Sequence, residues 1–366
     1  MSCFPSIHYL QCHSERSNEK HLGIIPSSSL CADIMQYSSP GNPAVCTSAS
    51  VSLPYCVDPN GLFNFDRLRH VVGVIVANAD RTIDSSDYPT TAVAINARRT
   101  RALAIGVQGL ADVFMMLQLP YTSPGARSIN IAIFETIYYA ALDTSCSLAE
   151  RDGPYPLWSG SPASHGILQM DMWGAEPTTR LDFDNLRSRI SRFGLRNSTM
   201  TALMPTSSVS KLLGNFESFE PYTRYALRMF LQSTCLLLNA IRHNSNTLIL
   251  RSSSGDYPLI CPLLVRALTA KGLWIPEVQQ ALVTGIGSVV SLNIPLIWTE
   301  NFYKGSLQQC SMVSNDLKDV FKTMWELDPK DLIDMAIDRA PFIDHSQSLT
   351  LAIRQPTADY LVGHGI

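Results

Sequence analysis

The chain reads as a helix-rich globular protein in which long buried helices are mixed with shorter extended segments, and three stretches carry that reading. The clearest is the helix opened by Ser123-Pro124, with Ser at the cap and Pro at the first helical position. Ile129, Ile133, Ile137 and Ala141 then recur at four-residue spacing, Phe134 and Tyr138 widen the stripe, and Gly153-Pro154 stops it. Asp66 to Asp80 has the apolar density of a second buried helix, with Asp66 as its expected cap. Ser29-Leu30-Cys31-Ala32-Asp33-Ile34, taken as extended, puts Ser29, Cys31 and Asp33 on one face and Leu30, Ala32 and Ile34 on the other.

With 366 residues, 46% hydrophobic and 16% charged, the chain suffices for one large or two medium domains around a substantial core. A formal net charge of -3 without charge runs excludes the basic footprint of a nucleic-acid binder or of a protein drawn to anionic membrane surfaces. Nine cysteines lie at irregular spacing, with no Cys-x-x-Cys pair and no secretory leader. That pattern predicts reduced thiols in the cytoplasm, where a cysteine pair that does oxidise is usually catalytic. The most apolar stretch, Tyr225 to Ile241, contains Arg228 and Gln232, so no transmembrane segment is expected. No internal repeat, low-complexity tract or linker divides the chain.

One face carrying a hydroxyl, a thiol and a carboxylate can do chemistry together. The thiol can lose its hydrogen atom, the carboxylate can accept a proton, and the small polar group can hold a substrate hydroxyl. Alternation alone leaves open that Cys31 is a small buried hydrophobe. A second candidate is Thr206, Ser207, Ser208 and Ser210 at the start of a short helix, where hydroxyls and backbone donors meet the positive end of the helix dipole. As a bare pattern this is more often a capped helix than a phosphate site. Gly106 and Gly109 read as a tight turn or a close helix packing contact rather than a phosphate cradle. His165 has no His, Cys or carboxylate at ligand spacing, and no metal site is expected.

The run SLCADIMQYSSPGNPAVCTSASVSL resembles the active-site segment of class I ribonucleotide reductase large subunits, whose pattern is Asn-Leu-Cys-Thr-Glu-Ile followed by Ala-Val-Cys-Asn-Leu-Ala-Ser. IGVQGLADVF, FETIYYAALDTSCSLAERDGPY, SGSPASHGILQMDMW and LLGNFESFEPYT are similar to the same family, and the glycines of the first then read as architecture. Arg339 to Ser348 also matches, against Gly-Ala-Phe-Ile-Asp-Gln-Ser-Gln-Ser. The resemblance implies that Cys31 is a transient thiyl radical, Asp33 the base in place of glutamate, and Ser29 the polar partner in place of asparagine. It makes Cys46 one of two cysteines that reduce the substrate and end as a disulfide. Thr206, Ser207, Ser208 and Ser210 would fall in the diphosphate-binding loop, with Val209 at a threonine position.

The implied fold is α/β: part of a ten-stranded α/β barrel with many helices and the catalytic cysteine on a finger loop. Residues 1–15 are an unplaced tail, and residues 16–366 form the C-terminal half of the barrel domain, with insertions at about 224–244 and 297–312 that need not belong to the barrel. The implied function is reduction of ribonucleoside diphosphates to 2'-deoxyribonucleoside diphosphates. The chain itself would bind no cofactor: a di-metal small subunit would supply the radical and thioredoxin or glutaredoxin the electrons, within a homodimer of large subunits. The family's ATP and deoxynucleotide effector sites, its C-terminal tyrosine pair and its two-cysteine tail have no counterpart here. The isolated chain is therefore expected to be inactive, with a non-catalytic remnant or assembly partner as the alternative. Ser2-Cys3-Phe4 resembles a family motif around the second redox cysteine, which would pair Cys3 with Cys46 unless Cys3 is an exposed tail thiol.

Overall fold

Four stretches of chain lie side by side in parallel. The computed structural model describes residues 12–222, 250–252, 255–257, 261–284, 306–308 and 310–352. The chain forms two units, one of Met1–Gln108, Arg127–Thr206 and Asp334–Leu349, the other of Gly109–Ala126, Ser207–Ile333 and Thr350–Ile366. The elements used below are β1 (Thr47–Ser52), α1 (Phe65–Ser85), α2 (Thr91–Thr100), β2 (Leu103–Gln108), α3 (Leu110–Met116), α4 (Pro124–Asp152), α5 (Phe183–Phe193) and α6 (Ser207–Leu213).

In the first unit β1 and β2 pair in parallel from Thr47 opposite Leu103 to Ser52 opposite Gln108. Beyond β2 the ladder continues through residues 199–203, with a parallel bridge from Ile105 to Thr201. Residues 345–348 follow, with a parallel bridge from Leu203 to Gln347. Parallel neighbours need a long crossover, and α1 and α2 provide it between β1 and β2. Every residue of β2 is buried, which is why Leu103 to Val107 is a continuous apolar run rather than an alternating one. Gly106 is required at its position, because a Cβ there would stand 2.8 Å from the Ala202 carbonyl oxygen of the next row. The close contact is therefore between strands, not helices. Gly109 serves differently: in the second unit it adopts a left-handed φ of 78° and leads into α3.

The cap of α1 is Asn64, not Asp66. Asn64 keeps extended dihedrals and its side chain accepts a hydrogen bond from the Arg67 N–H, while Asp66 lies in the first turn, where the helix dipole favours a carboxylate. The helix also runs on to Ser85, beyond Asp80. Asp80 and Asp84, one turn apart, both bind Arg101, which tethers that extra length. For α4 the Ser123 hydroxyl accepts from the Ala126 N–H at 3.2 Å, and Gly153 with φ 82° ends the helix. Ile133, Phe134, Ile137, Tyr138, Ala141 and Leu142 are all buried, so the expected stripe is widened until most of the helix lies in core. Each fully buried Ile, Leu or Phe among them contributes about 1.5–3 kcal/mol.

The second unit packs α3 around a buried acid. Asp112 accepts from the Phe216 N–H at 2.6 Å and the Tyr222 hydroxyl at 2.5 Å, and the Phe216 and Tyr222 rings stack with centroids 3.7 Å apart. The insertion expected at 224–244 lies outside the described residues, as does that at 297–312 except for 306–308 and 310–312. Among the described residues no helix is long and apolar enough to cross a membrane.

Candidate active site

Cys31 sits at the tip of a tight hairpin, not in an extended strand. Ser28 and Met35 form an antiparallel bridge, the Ser29 N–H donates to the Ile34 carbonyl at 3.0 Å, and the Ala32 N–H donates back to the Ser29 carbonyl at 3.1 Å. The turn requires a left-handed Ala32, with φ 58°. Residue alternation is thereby lost: Cys31 and Leu30 are exposed, whereas Asp33 is buried. Ser29 and Asp33 still meet, because the turn brings the Ser29 hydroxyl to donate to the Asp33 carboxylate at 2.8 Å. The same hydroxyl oxygen accepts from the Ile34 N–H at 3.1 Å. The shared face of the sequence reading is thus replaced by a thiol at the apex and a bonded hydroxyl–carboxylate pair at its base.

The fourth parallel row holds the hairpin. The Ser346 N–H donates to the Asp33 carbonyl at 3.0 Å, and the buried His345 ring contacts Met35 through Nδ1, 2.9 Å from its carbonyl and 3.2 Å from its N–H nitrogen. On the far side of Met35, Glu19 accepts from the Tyr37 N–H at 2.9 Å and the Ser198 hydroxyl at 2.9 Å. Asn18 donates to the Ser198 carbonyl at 2.7 Å. Glu19 is buried and its pKa is raised by that burial, against the pull of these donors.

Cys46, half-buried one residue before β1, has its Sγ 3.9 Å from His345 Nε2. Burial pushes its thiol pKa up, and the Glu19 and Asp33 carboxylates add to the effect. The pairing with Cys3 falls outside the described residues. Among the described residues Cys31 and Cys46 are free thiols, and no three His, Cys, Asp or Glu side chains converge to hold a metal.

The second candidate stretch divides by exposure. Thr206 and Ser210 are buried, Ser207 is half-buried and Ser208 is exposed at the start of α6. Ser207 bonds the Glu217 carboxylate, whose pKa burial raises although Lys211 lies 3.9 Å away. Sequence reasoning missed Asn18, Glu19, Asp344 and His345 as parts of the first site. Asp344 and His345 lie in the matched run Arg339 to Ser348, and Asn18 and Glu19 at the start of the barrel half, where the resemblance gives them no role.

Asp344 anchors the floor: its Oδ2 accepts from the Met200 N–H at 2.7 Å and the Thr201 N–H at 3.2 Å. Burial raises its pKa from 3.8 to about 6, despite those donors. Since the folded state binds this proton more tightly than the unfolded chain, the contribution is fully present below pH 3.8 and is lost as pH rises through about 6. Asp344→Asn keeps an acceptor and removes the titration. On lowering pH from about 7.5 to about 4.5, the wild type should gain on the order of 2 kcal/mol relative to the variant, read by urea unfolding at both values. An unchanged difference would exclude Asp344 as the titrating group.

Comparison with known proteins agrees with this architecture. The family described as "Ribonucleotide reductase, barrel domain" matches residues 4–363. The chain is 39% identical over 353 residues to the "Ribonucleoside-diphosphate reductase large subunit" of Caenorhabditis elegans, covering 96% of this chain and 40% of that protein. It is 42% identical over 349 residues to the "Ribonucleoside-diphosphate reductase large chain" of Cryptosporidium parvum, covering 95% of this chain and 39% of the relative. The chain therefore spans about 40% of the length of the curated relatives it matches. Among solved structures, the "Actinobacillus ureae class Id ribonucleotide reductase alpha subunit" superposes with a TM-score of 0.64 at 22% identity, over 96% of this chain and 53% of the other. A row of parallel strands with a cysteine-tipped hairpin docked on its last member, and a family match running nearly end to end, lead to one assignment: the chain belongs to the ribonucleotide reductase barrel-domain family.

Proposed function

We propose that this chain carries the reducing site of a ribonucleoside-diphosphate reductase, converting ribonucleoside diphosphates to 2'-deoxyribonucleoside diphosphates in the cytoplasm. The observation that carries the reading is the exposed Cys31 thiol at a hairpin apex whose base is the Ser29–Asp33 pair. An apex thiol can give up its hydrogen atom to a radical delivered from a partner and then act on a substrate. The buried carboxylate at the base can take a proton from a substrate hydroxyl. Cys46 supplies one of the two reducing thiols, and Thr206, Ser207, Ser208 and Ser210 are assigned to the diphosphate. Partners in this reading are a small di-metal subunit that supplies the radical, thioredoxin or glutaredoxin as reductant, and a second large subunit.

Asp33 and Ser29 are each shorter than the family's residues at these positions. Their mutual hydrogen bond spends part of both groups on each other. Restoring the longer side chains in Ser29→Asn with Asp33→Glu should raise kcat about 10- to 100-fold, the size of effect expected when reacting groups move by about 1 Å. The measurement is deoxyribonucleoside diphosphate formed by the native polypeptide that carries this sequence, supplied with a radical-generating small subunit and a dithiol. Equal or lower turnover in the double variant would reject Asp33 as the base.

A further inference from the structure

We propose that His345 is the proton acceptor for the Cys46 thiol, so that the two side chains hold one proton between them and interconvert between thiol–imidazole and thiolate–imidazolium. His345 stands where the family pattern has glutamine, a residue that cannot take up a proton. Its ring is buried and cradled at both nitrogens: Nδ1 lies 2.9 Å from the Met35 carbonyl, and Nε2 lies 3.2 Å from the Leu103 carbonyl and 3.9 Å from Cys46 Sγ. In the neutral ring with its proton on Nδ1, that N–H donates to Met35 and the Nε2 lone pair is left to accept from the Cys46 S–H. When the proton crosses, the S–H electron pair stays on sulfur and the new Nε2–H finds the Leu103 carbonyl. Only the exchanged state uses the Leu103 carbonyl as an acceptor, and the pair's net charge does not change.

Burial and the neighbouring carboxylates hold the resting pair as thiol and neutral imidazole, so the exchanged form is its minor state. His345 has a lowered pKa because it is buried, while the Asp33 carboxylate opposes that shift. His13, itself held at about 4 chiefly by burial, feels His345 and Arg16. Glu19 and Asp33 act on Cys46, and Asp344 adjoins His345 in the chain and is influenced by Glu19. A shared proton at this thiol would ease its use as an electron donor, a consequence that rests on the reading of Cys46 as a reducing thiol. The pair itself does not depend on that reading.

The test is the rate of Cys46 alkylation by iodoacetamide in the full chain from about pH 5 to about pH 10, scored by mass spectrometry of the Cys46 peptide with exposed Cys12 as reference. The thiolate attacks the methylene carbon and iodide leaves, so the rate follows the thiolate fraction. The wild type is expected to show a plateau near neutrality, where the pair carries one proton and a fixed fraction is ion pair. His345→Gln should replace the plateau with a rise of about tenfold per pH unit and lower the rate at pH 7 at least about tenfold. A plateau that survives in the variant, or none in the wild type, would overturn the proposal. If circular dichroism shows that His345→Gln does not fold, His13→Gln takes its place: a plateau that survives there supports His345, and one that vanishes overturns it. Neither result requires turnover, so failure here is distinct from failure of the reductase assignment.

Discussion

Cys31→Ser is expected to abolish deoxyribonucleotide formation, a loss on the order of 1000-fold or more. The substitution exchanges sulfur for oxygen at an exposed apex, so it removes no core packing and leaves the hairpin hydrogen bonds of Ser29, Ile34 and Ala32 in place. A serine O–H gives up its hydrogen atom far less readily than a thiol, and in the proposed mechanism the remaining residues would act only through the radical on that thiol. Product should fall to background while urea unfolding midpoints of wild type and variant coincide. Equal loss of product and stability would point instead to a structural role for the apex. On the proposed reading of Cys46 as one of two reducing thiols, Cys46→Ser should lose a similar amount under multiple turnover, because the thiol pair could then no longer deliver two electrons.

The largest stability effect is expected at a buried ion-pair network rather than at the hairpin. Arg101 lies at the left-handed C-cap of α2 with its side chain 3% exposed, donating to Asp80 Oδ1 at 2.8 Å and to the Asp80 carbonyl at 2.8 Å. Asp80 also accepts from Asn197 Nδ2 at 3.0 Å, and Arg196 approaches its other oxygen at 3.8 Å. Asp80→Ala leaves a guanidinium and an amide buried without that carboxylate, and should cost about 3–5 kcal/mol. Asp84 bonds the same guanidinium, but its side chain is 55% exposed, so Asp84→Ala should cost about 1 kcal/mol or less. Denaturant unfolding of the two variants gives the comparison. Equal costs would mean that burial does not govern this network.

Helix ends and stripes were legible in the sequence because their determinants are local. Ser123-Pro124 and Gly153 needed only capping and steric rules to define α4. Even there a two-residue error arose at α1, where Asn64 competes successfully with Asp66 because its own backbone stays extended. The hairpin was not legible. Alternation of polar and apolar residues over Ser29–Ile34 mimics a strand, and the left-handed Ala32 that breaks it is fixed by docking onto residues 345 and 346, about 310 positions away. The same remoteness hid Glu19, Asp344 and His345. Their burial comes from the parallel rows around them, and nothing near them in the chain marks a buried acid or base.

The chemistry assigned to the hairpin is tested most directly by supplying the native polypeptide that carries this sequence with a radical-generating small subunit, a dithiol and a ribonucleoside diphosphate, and measuring the deoxyribonucleoside diphosphate formed. Product from the wild type that vanishes in Cys31→Ser is the expected result. Product that persists undiminished in Cys31→Ser, or a wild type that forms none, would contradict the assignment of the apex thiol as the reducing site's radical centre.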